Sequence, residues 1–245
     1  MAHGLINEII KNAGIGLSFG ELFQGLSKSP LGGRRFDLII DTQRIFWTSL
    51  SLKHVPHDSF ISPAGRFLLS SKKPAKGYRF PKNMQRQLLD LLELPRGRDF
   101  PTPQTLDLDL NKDLRAEAAR LLPEGPEYIG LAPGTGGPPK CWPLENFIEL
   151  ARHLESQGWV PVFFLDPKET RWIDEIRNAL PEARFPLQEK GVERNHGFSP
   201  LLSVALSERV RASVSNDSGA AHMFAVGGRP LVTLYGVRGR KNSCR

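Results

Sequence analysis

The sequence predicts an α/β protein with parallel sheets, and three observations carry this prediction. Apolar, strand-like segments alternate with amphipathic helical segments through the second half of the chain. Such alternation is typical of parallel strands joined by right-handed helical crossovers. The loop that follows the first of these strands, residues 133–140, is rich in glycine and proline. The length of 245 residues suits one large domain or two small ones, and we expect two, at residues 1–124 and 125–245.

The first half contains fewer clear elements. Residues 36–41 show a short buried-strand pattern, and residues 84–94 have the leucine spacing of a helix. Between them, residues 61–82 are basic and are interrupted by proline and glycine, which predicts a loop. The domain boundary is placed at residues 121–127 because this stretch contains two prolines and a glycine.

The second half is more regular. Residues 143–157 predict a helix because apolar residues recur at three- and four-residue intervals, Pro143 fits the first turn and Gly158 ends it. The predicted strands are 128–132, 159–165, 212–215 and 231–235, and the predicted helices are 143–157, 169–180, 200–210 and 219–226. Ligands of parallel sheets bind at the carboxyl ends of the strands. The chemically interesting loops of this half fall at that edge, so we expect a binding site there.

Charge is unevenly distributed along the chain. Residues 1–126 contain 18 basic and 13 acidic residues. Residues 127–236 contain 11 basic and 13 acidic residues, and the last nine residues contain four basic residues and no acidic one. The clearest fold therefore has no net positive charge, which argues against the nucleic-acid-binding class that the pI of about 9.6 suggests. The basic stretch 66–82 also contains three aromatic residues. It is either a solvated loop or a contact for anionic lipid or nucleic acid.

The expected compartment is the cytoplasm. The longest apolar run, residues 159–165, is far shorter than the ~18 residues of a membrane-spanning helix. The N-terminus shows no basic segment followed by an apolar core, so we expect no signal peptide. The two cysteines, Cys141 and Cys244, provide neither a disulfide framework nor the spacing of a zinc site.

The loop at residues 132–140 is a candidate anion site. Its three glycines let backbone N–H groups approach a ligand closely. Thr135 adds a hydroxyl, Lys140 adds a point charge, and the next helix points its positive end the same way. The loop matches neither the Walker A pattern nor the dinucleotide-binding glycine pattern. The alternative is an ordinary strand-to-helix connection with an exposed lysine.

A second candidate is the segment Ser-Asn-Asp-Ser-Gly-Ala-Ala-His at residues 215–222. Asp217 and Ser218 lie where a strand becomes a helix, and Gly219 would let a ligand approach the first turn. His222 lies close enough in sequence to face the same ligand. The alternative is a helix capped by Asp217 or Ser218, with His222 in the core.

Two carboxylates follow other strands. Glu169 either complements the dipole of the helix that it precedes or binds a ribose. Asp41 could face a cleft, but a turn or a structural role is favoured.

Together, three stretches resemble glycosyltransferase family 9, the ADP-heptose:lipopolysaccharide heptosyltransferases. They are Phe-Asp-Leu-Ile-Ile-Asp-Thr-Gln at 36–43, Pro-Gly-Thr-Gly with Lys-Cys-Trp-Pro within 133–143, and Asn-Asp-Ser-Gly with His222, Gly-Arg-Pro and Leu-Tyr-Gly within 216–236. The resemblance runs from about residue 20 to Gly236. It implies the GT-B architecture, in which two Rossmann-like domains face each other across a cleft. The implied partners are an ADP-heptose donor and a lipid A or core oligosaccharide acceptor, with no cofactor and no nucleic acid.

The resemblance also implies roles for particular residues. Thr135, Gly136 and Lys140 would hold the donor diphosphate, and Glu169 would contact the ribose. The residues Asp217, Ser218, Gly219 and His222 would bind the donor around its phosphates and sugar. The implied transfer inverts the anomeric centre and needs no metal. Charge grows on the departing diphosphate, so Lys140 would stabilise the transition state more than the ground state.

Family members usually begin with a strand and a Gly-Asp loop that provides the general base. The chain begins beyond that loop and stops soon after Gly236, so we expect a member truncated at both ends, with an incomplete N-terminal domain. The alternative function is an inactive nucleotide-sugar-binding fragment or degenerate paralogue. We expect a monomer in the cytoplasm that reaches its acceptor at the inner face of the inner membrane.

Overall fold

The computed structural model describes residues 8, 10, 31, 33–102, 108–135, 141–192 and 199–236. The chain divides into two compact units, Met1–Thr105 and Leu106–Arg245. This division falls about twenty residues before the expected boundary at 124/125. The reason is that the helix following residue 111 packs into the core of the second unit through Leu114, Ala118 and Leu121.

The first unit contains a parallel β-α-β arrangement. Strand β1 (Phe36–Ile40) and strand β2 (His57–Ile61) are joined through helix α1 (Phe46–Lys53), and Leu38 is paired with Ser59. Helix α2 (Met84–Arg96) follows the basic loop. The predicted strand at 36–41 and helix at 84–94 thus form, whereas α1 and β2 were not predicted.

Both ends of α2 have a local cause in the sequence. The Asn83 side chain accepts a hydrogen bond from the Arg86 N–H, which caps the first turn. At the other end, Gly97 takes the left-handed conformation with φ of 66°, which favours glycine and closes the helix. Pro95 lies in the last turn of α2, which ends at Arg96.

The second unit is a four-stranded parallel sheet with helices on both faces. Its strands are β3 (Tyr128–Ala132), β4 (Val160–Phe163), β5 (Ala212–Asn216) and β6 (Leu231–Leu234), arranged in the order β4-β3-β5-β6. Its helices are α3 (Lys112–Leu121), α4 (Leu144–Ser156), α5 (Ile173–Ala179), α6 (Pro200–Ser207) and α7 (Gly219–Val226). The predicted alternation of strands and helices is confirmed. The predicted helix at 169–180 begins instead as a 3₁₀ turn at Thr170–Trp172, which leads into α5.

Two hydrophobic clusters lie on opposite faces of this sheet. Successive strand residues point to opposite faces, and Phe163 belongs to one cluster whereas Phe164 belongs to the other. Helices α4 and α5 cover the Phe163 face, and α3, α6 and α7 cover the Phe164 face. Because both faces are covered, β3 and β4 are apolar along their length, whereas β5 also contains the buried Ser213 and Ser215.

Within the described residues, no helix is both long and apolar enough to cross a membrane.

Candidate functional site

A cleft of about 630 Å³ opens at the carboxyl edge of the second unit's sheet. Its walls come from the loops after β3, β4 and β5, which contribute Thr135, Glu169 and Ser218 respectively. Gly219, the first residue of α7, completes this side. Four residues predicted from three separate loops therefore lie around one cavity.

Glu169 is held inside the cleft by its own loop. The carboxylate Oε2 accepts a hydrogen bond from the Asp166 N–H at 2.9 Å, which directs the side chain back towards the end of β4. Burial raises the pKa of the Glu169 carboxyl above its ordinary value, and the Asp166 hydrogen bond opposes that rise. A partly desolvated carboxylate with free acceptor capacity is suited to bind the hydroxyls of a sugar.

Gly134 makes room for this carboxylate. A β-carbon placed at residue 134 would overlap the carboxyl group of Glu169. The requirement for glycine here is steric, and it links the loop after β3 to the loop after β4.

Two hydroxyls of the cleft lack hydrogen-bond partners within the described part of the chain. They are Thr135 Oγ1 and Ser218 Oγ, and both atoms are buried. Ser218 occupies the N-cap position of α7 without donating or accepting a cap hydrogen bond through its side chain. The first N–H groups of α7 and its dipole thus remain available to an anion. A buried hydroxyl without a partner costs stability, which is commonly tolerated where a ligand acts as the partner.

The rest of the cleft is mainly apolar. Phe164, Leu187, Pro200 and Met223 contribute to its lining, together with Ser203 on α6. A flat aromatic ligand group can bury its faces against such a surface. The lining thus combines polar groups with apolar groups.

Asn216 organises the cleft without lining it, and it is not among the site residues predicted from the sequence. It lies at the end of β5 and is fully buried. Its Nδ2 donates to the Pro133 carbonyl at 2.6 Å, and its Oδ1 accepts from the Trp142 N–H at 2.9 Å. One side chain therefore ties the two ends of the predicted anion loop to the neighbouring strand. The available sequence signal was an amide side chain directly after the predicted strand at 212–215.

The other predicted site residues take different positions. Asp217 is half-buried and its N–H donates to the Leu234 carbonyl, whereas His222 is exposed on α7, and neither lines the cleft. The proposed core position for His222 is therefore wrong. Gly136 and Lys140 lie outside the described residues.

Asp41 has the structural role that the sequence favoured. It is 4 % exposed, and its carboxylate accepts hydrogen bonds from the hydroxyls of Ser49 and Ser62 and from the Gln43 N–H. These bonds join the end of β1 to α1 and to the end of β2.

No group of three or more metal-ligating side chains capable of holding a metal ion occurs among the described residues.

Comparison with protein families gives a match over nearly the whole chain. The family described as glycosyltransferase family 9 (heptosyltransferase) matches residues 26–242. Lipooligosaccharide heptosyltransferase 2 of Haemophilus influenzae is 32 % identical over 182 residues, which are 70 % of this chain and 51 % of that protein. Lipopolysaccharide heptosyltransferase 2 of Salmonella typhimurium is 35 % identical over 147 residues, 57 % of this chain and 40 % of that protein. The chain thus spans about half the length of these curated relatives.

Solved structures show the same fold. The structure of E. coli ADP-heptose LPS heptosyltransferase II matches this chain with a TM-score of 0.59 and 23 % sequence identity. The match covers 85 % of this chain and 64 % of the E. coli chain. E. coli heptosyltransferase WaaC with ADP-2-deoxy-2-fluoro heptose has a TM-score of 0.58 at 19 % identity, with coverages of 88 % and 67 %. These likenesses establish the α/β, GT-B type of fold with parallel sheets.

Proposed function

This chain belongs to glycosyltransferase family 9, and from that membership we propose that its second unit binds the ADP part of an ADP-heptose donor. We further propose that the protein transfers heptose to a lipopolysaccharide core acceptor with inversion and without a metal. One observation carries this proposal. Thr135, Glu169, Ser218 and Gly219, which the family resemblance assigns to the donor, lie around a single cleft.

The polar and apolar groups of the lining match the two chemical parts of a nucleoside diphosphate. The apolar groups, among them Phe164, Leu187 and Met223, would bury the faces of the adenine. The Glu169 carboxylate would accept hydrogen bonds from the ribose hydroxyls. The Asp166 N–H already positions this carboxylate before a ligand binds, which reduces the entropy cost of binding.

The diphosphate would lie against the polar groups. Thr135 and Ser218 would donate their hydroxyls to phosphate oxygens, and the N-terminus of α7 at Gly219 would face the same charge. We assign Gly136 and Lys140 to this group as well. Asp217 and His222 would contact the heptose, which requires movement or rotation of their side chains relative to this structure.

These contacts also explain how transfer would be accelerated. When the glycosidic bond breaks, negative charge increases on the departing diphosphate. Fixed N–H groups of α7 and the Lys140 ammonium would interact more strongly with that charge than with the intact donor. The acceptor hydroxyl would attack from the opposite face of the sugar and lose its proton to a general base.

The first unit offers cations for an anionic acceptor or membrane surface. Residues 61–98 contain nine basic and two acidic residues, and both acidic side chains, Asp90 and Glu93, pair with Arg86. A cavity of about 560 Å³ in this unit is lined by the cations Arg66, Lys73 and Arg79 and by three aromatic rings. We propose that these cations bring a monomeric protein to the inner face of the inner membrane, where the acceptor lies.

Calorimetric titration with ADP, with UDP and GDP as controls, tests the donor site. We expect selective ADP binding that weakens by roughly tenfold in Glu169→Gln, as for one charge-assisted hydrogen bond. Glu149→Gln is the matched control because Glu149 is exposed on α4 and does not line the cleft. No ADP binding by a cooperatively folded chain would overturn the proposal.

A transfer assay with ADP-heptose and a core acceptor tests the catalytic part separately. Heptose transfer supports the enzyme, whereas ADP binding without transfer favours the alternative of a nucleotide-sugar-binding module. Flotation with vesicles of phosphatidylglycerol and of phosphatidylcholine tests the membrane part. Lys73→Gln should reduce binding to the anionic vesicles, and Lys112→Gln, exposed on α3, should not.

A further inference from the structure

A second cavity of the sheet-containing unit lies away from the donor cleft. Its volume is about 530 Å³ and its lining includes three arginines, Arg115, Arg209 and Arg229. Arg209 lies shortly before β5 and Arg229 shortly before β6, so this cavity lies at the amino edge of the sheet. The donor cleft lies at the carboxyl edge, after β3, β4 and β5. The two cavities are therefore separate.

Each arginine of this cavity is anchored through its Nε atom. Arg209 Nε donates to the Leu122 carbonyl at 2.6 Å, and Arg229 Nε donates to the Glu208 carbonyl at 3.0 Å. Arg115 Nε donates to the Glu208 carboxylate at 3.2 Å. Anchoring at Nε holds each guanidinium plane and leaves terminal N–H groups of Arg209 and Arg229 for another acceptor.

The charges around the cavity do not balance. Glu208 is the one carboxylate in the lining, and its ion pair is with Arg115. Neither Arg209 nor Arg229 forms an ion pair with a carboxylate among the residues that the structure describes. The lining thus has an excess of two positive charges.

Two glycines, Gly227 and Gly228, also line the cavity. A β-carbon at Gly227 would overlap the Ser207 hydroxyl, and Gly228 has a φ of 72°. The chain can therefore turn tightly from α7 towards Arg229, which presents this guanidinium beside the end of α6. The arrangement is specified by backbone geometry as well as by charge.

We propose that this cavity is a binding site for a phosphate-type dianion, held between the guanidinium groups of Arg209 and Arg229. The planar N–H pairs of arginine match the oxygen spacing of a phosphate group, and the lining's excess of two positive charges matches the charge of a dianion. The site goes beyond the proposed function, because it shares no residue with the donor cleft. Helix α6 contributes Ser203 to the donor cleft and Ala205 to this cavity.

Titration of the full chain with inorganic phosphate at constant ionic strength, maintained with chloride, tests the proposal. The titration is made with and without saturating ADP, which separates this cavity from the donor cleft. We expect saturable phosphate binding that ADP does not compete away and that weakens about tenfold in Arg229→Gln. Arg209→Gln should have the same effect, and Arg152→Gln, exposed on α4, should have none.

Three results would overturn the site. They are no phosphate binding beyond the chloride control, full competition by ADP, or unchanged affinity in Arg229→Gln that retains the wild-type melting transition. The Arg229 variant is the principal one because Arg209 also holds the Leu122 carbonyl, and its loss could unfold the edge of the sheet. Failure of ADP to bind would refute the proposed donor site, and the comparison of Arg229→Gln with Arg152→Gln would still test this cavity.

Discussion

The carboxyl group of Glu169 occupies the space beside Gly134 that a β-carbon would fill in any other residue. The two residues belong to loops after neighbouring strands, β3 and β4, and the Asp166 N–H holds the carboxylate in place. The absence of a side chain at residue 134 is therefore part of how the site is built. This relationship should make the proposed binding of a nucleoside diphosphate sensitive to a single methyl group at residue 134.

Replacement of Gly134 by alanine is expected to displace the Glu169 carboxylate and to weaken ADP binding by about 1–3 kcal/mol. Because the obstructed atoms are the end of a flexible side chain, the folded state should survive. Calorimetry on a double-mutant cycle with Glu169→Ala checks the cause. In the Glu169→Ala background, Gly134→Ala should cost almost nothing, and an undiminished cost would contradict the steric account.

Glu169 is expected to lower the stability of the free protein at neutral pH. Burial raises the pKa of Glu169 in the folded state, so the folded protein holds this proton more tightly than the unfolded chain does. The contribution of this proton to the free energy of unfolding is fully present below the ordinary pKa of 4.5 and is lost as pH rises through the raised pKa. Glu169→Gln should therefore gain stability relative to wild type as pH increases from 4.5 to 7. Urea unfolding across that range measures the difference, and the exposed Glu149→Gln should show no comparable trend.

Ser218→Ala is expected to weaken ADP binding without destabilising the protein. A serine at an N-cap normally contributes about 1 kcal/mol, but the Ser218 side chain forms no cap hydrogen bond and its Oγ is buried without a partner. Asn83→Ala is the control, because the Asn83 side chain does cap α2 through the Arg86 N–H. Denaturant unfolding should show a loss of about 1 kcal/mol for Asn83→Ala and none for Ser218→Ala. A comparable loss for both would refute the ligand-directed role of the serine.

Asn216→Ala is expected to destabilise the second unit by about 2–3 kcal/mol, because it leaves the Pro133 carbonyl and the Trp142 N–H without their buried partner. It should also weaken ADP binding, since those bonds hold both ends of the anion loop. Thermal unfolding and calorimetry measure the two effects. Asn178→Ala, exposed on α5, is the control and should change neither.

Much of the fold follows from local sequence patterns. The run of apolar residues in β4 and the regular spacing in α4 predict a buried strand and a helix, because each pattern has one dominant periodicity. Helix α1 was missed because the buried Thr48, Ser49 and Ser51 interrupt its apolar pattern. Strand β2 was missed because it begins with the polar sequence His-Asp-Ser. Ser49 of α1 and Ser62, directly after β2, donate their hydroxyls to the buried Asp41 carboxylate, so polar residues here belong to the core.

The predicted domain boundary shows a second limit. Residues 95–126 are rich in proline and charge, which is typical of a linker. Leu114, Ala118 and Leu121 nevertheless form one apolar face of α3, and that face packs in the cluster with α6 and α7. Long-range packing, which a local pattern does not contain, therefore assigns this segment to the second unit.

The sequence by itself determined the alternating parallel architecture, the family and the glycine-, serine- and carboxylate-containing loops at one sheet edge. These features depend on residue type, order and short spacing, all of which are local. Only the tertiary structure decided that Glu169 fits against Gly134, that Asn216 ties the anion loop to β5, and that His222 faces solvent. Contacts between loops far apart in the chain depend on how neighbouring strands are ordered in the sheet, and that order is established by packing of the whole core.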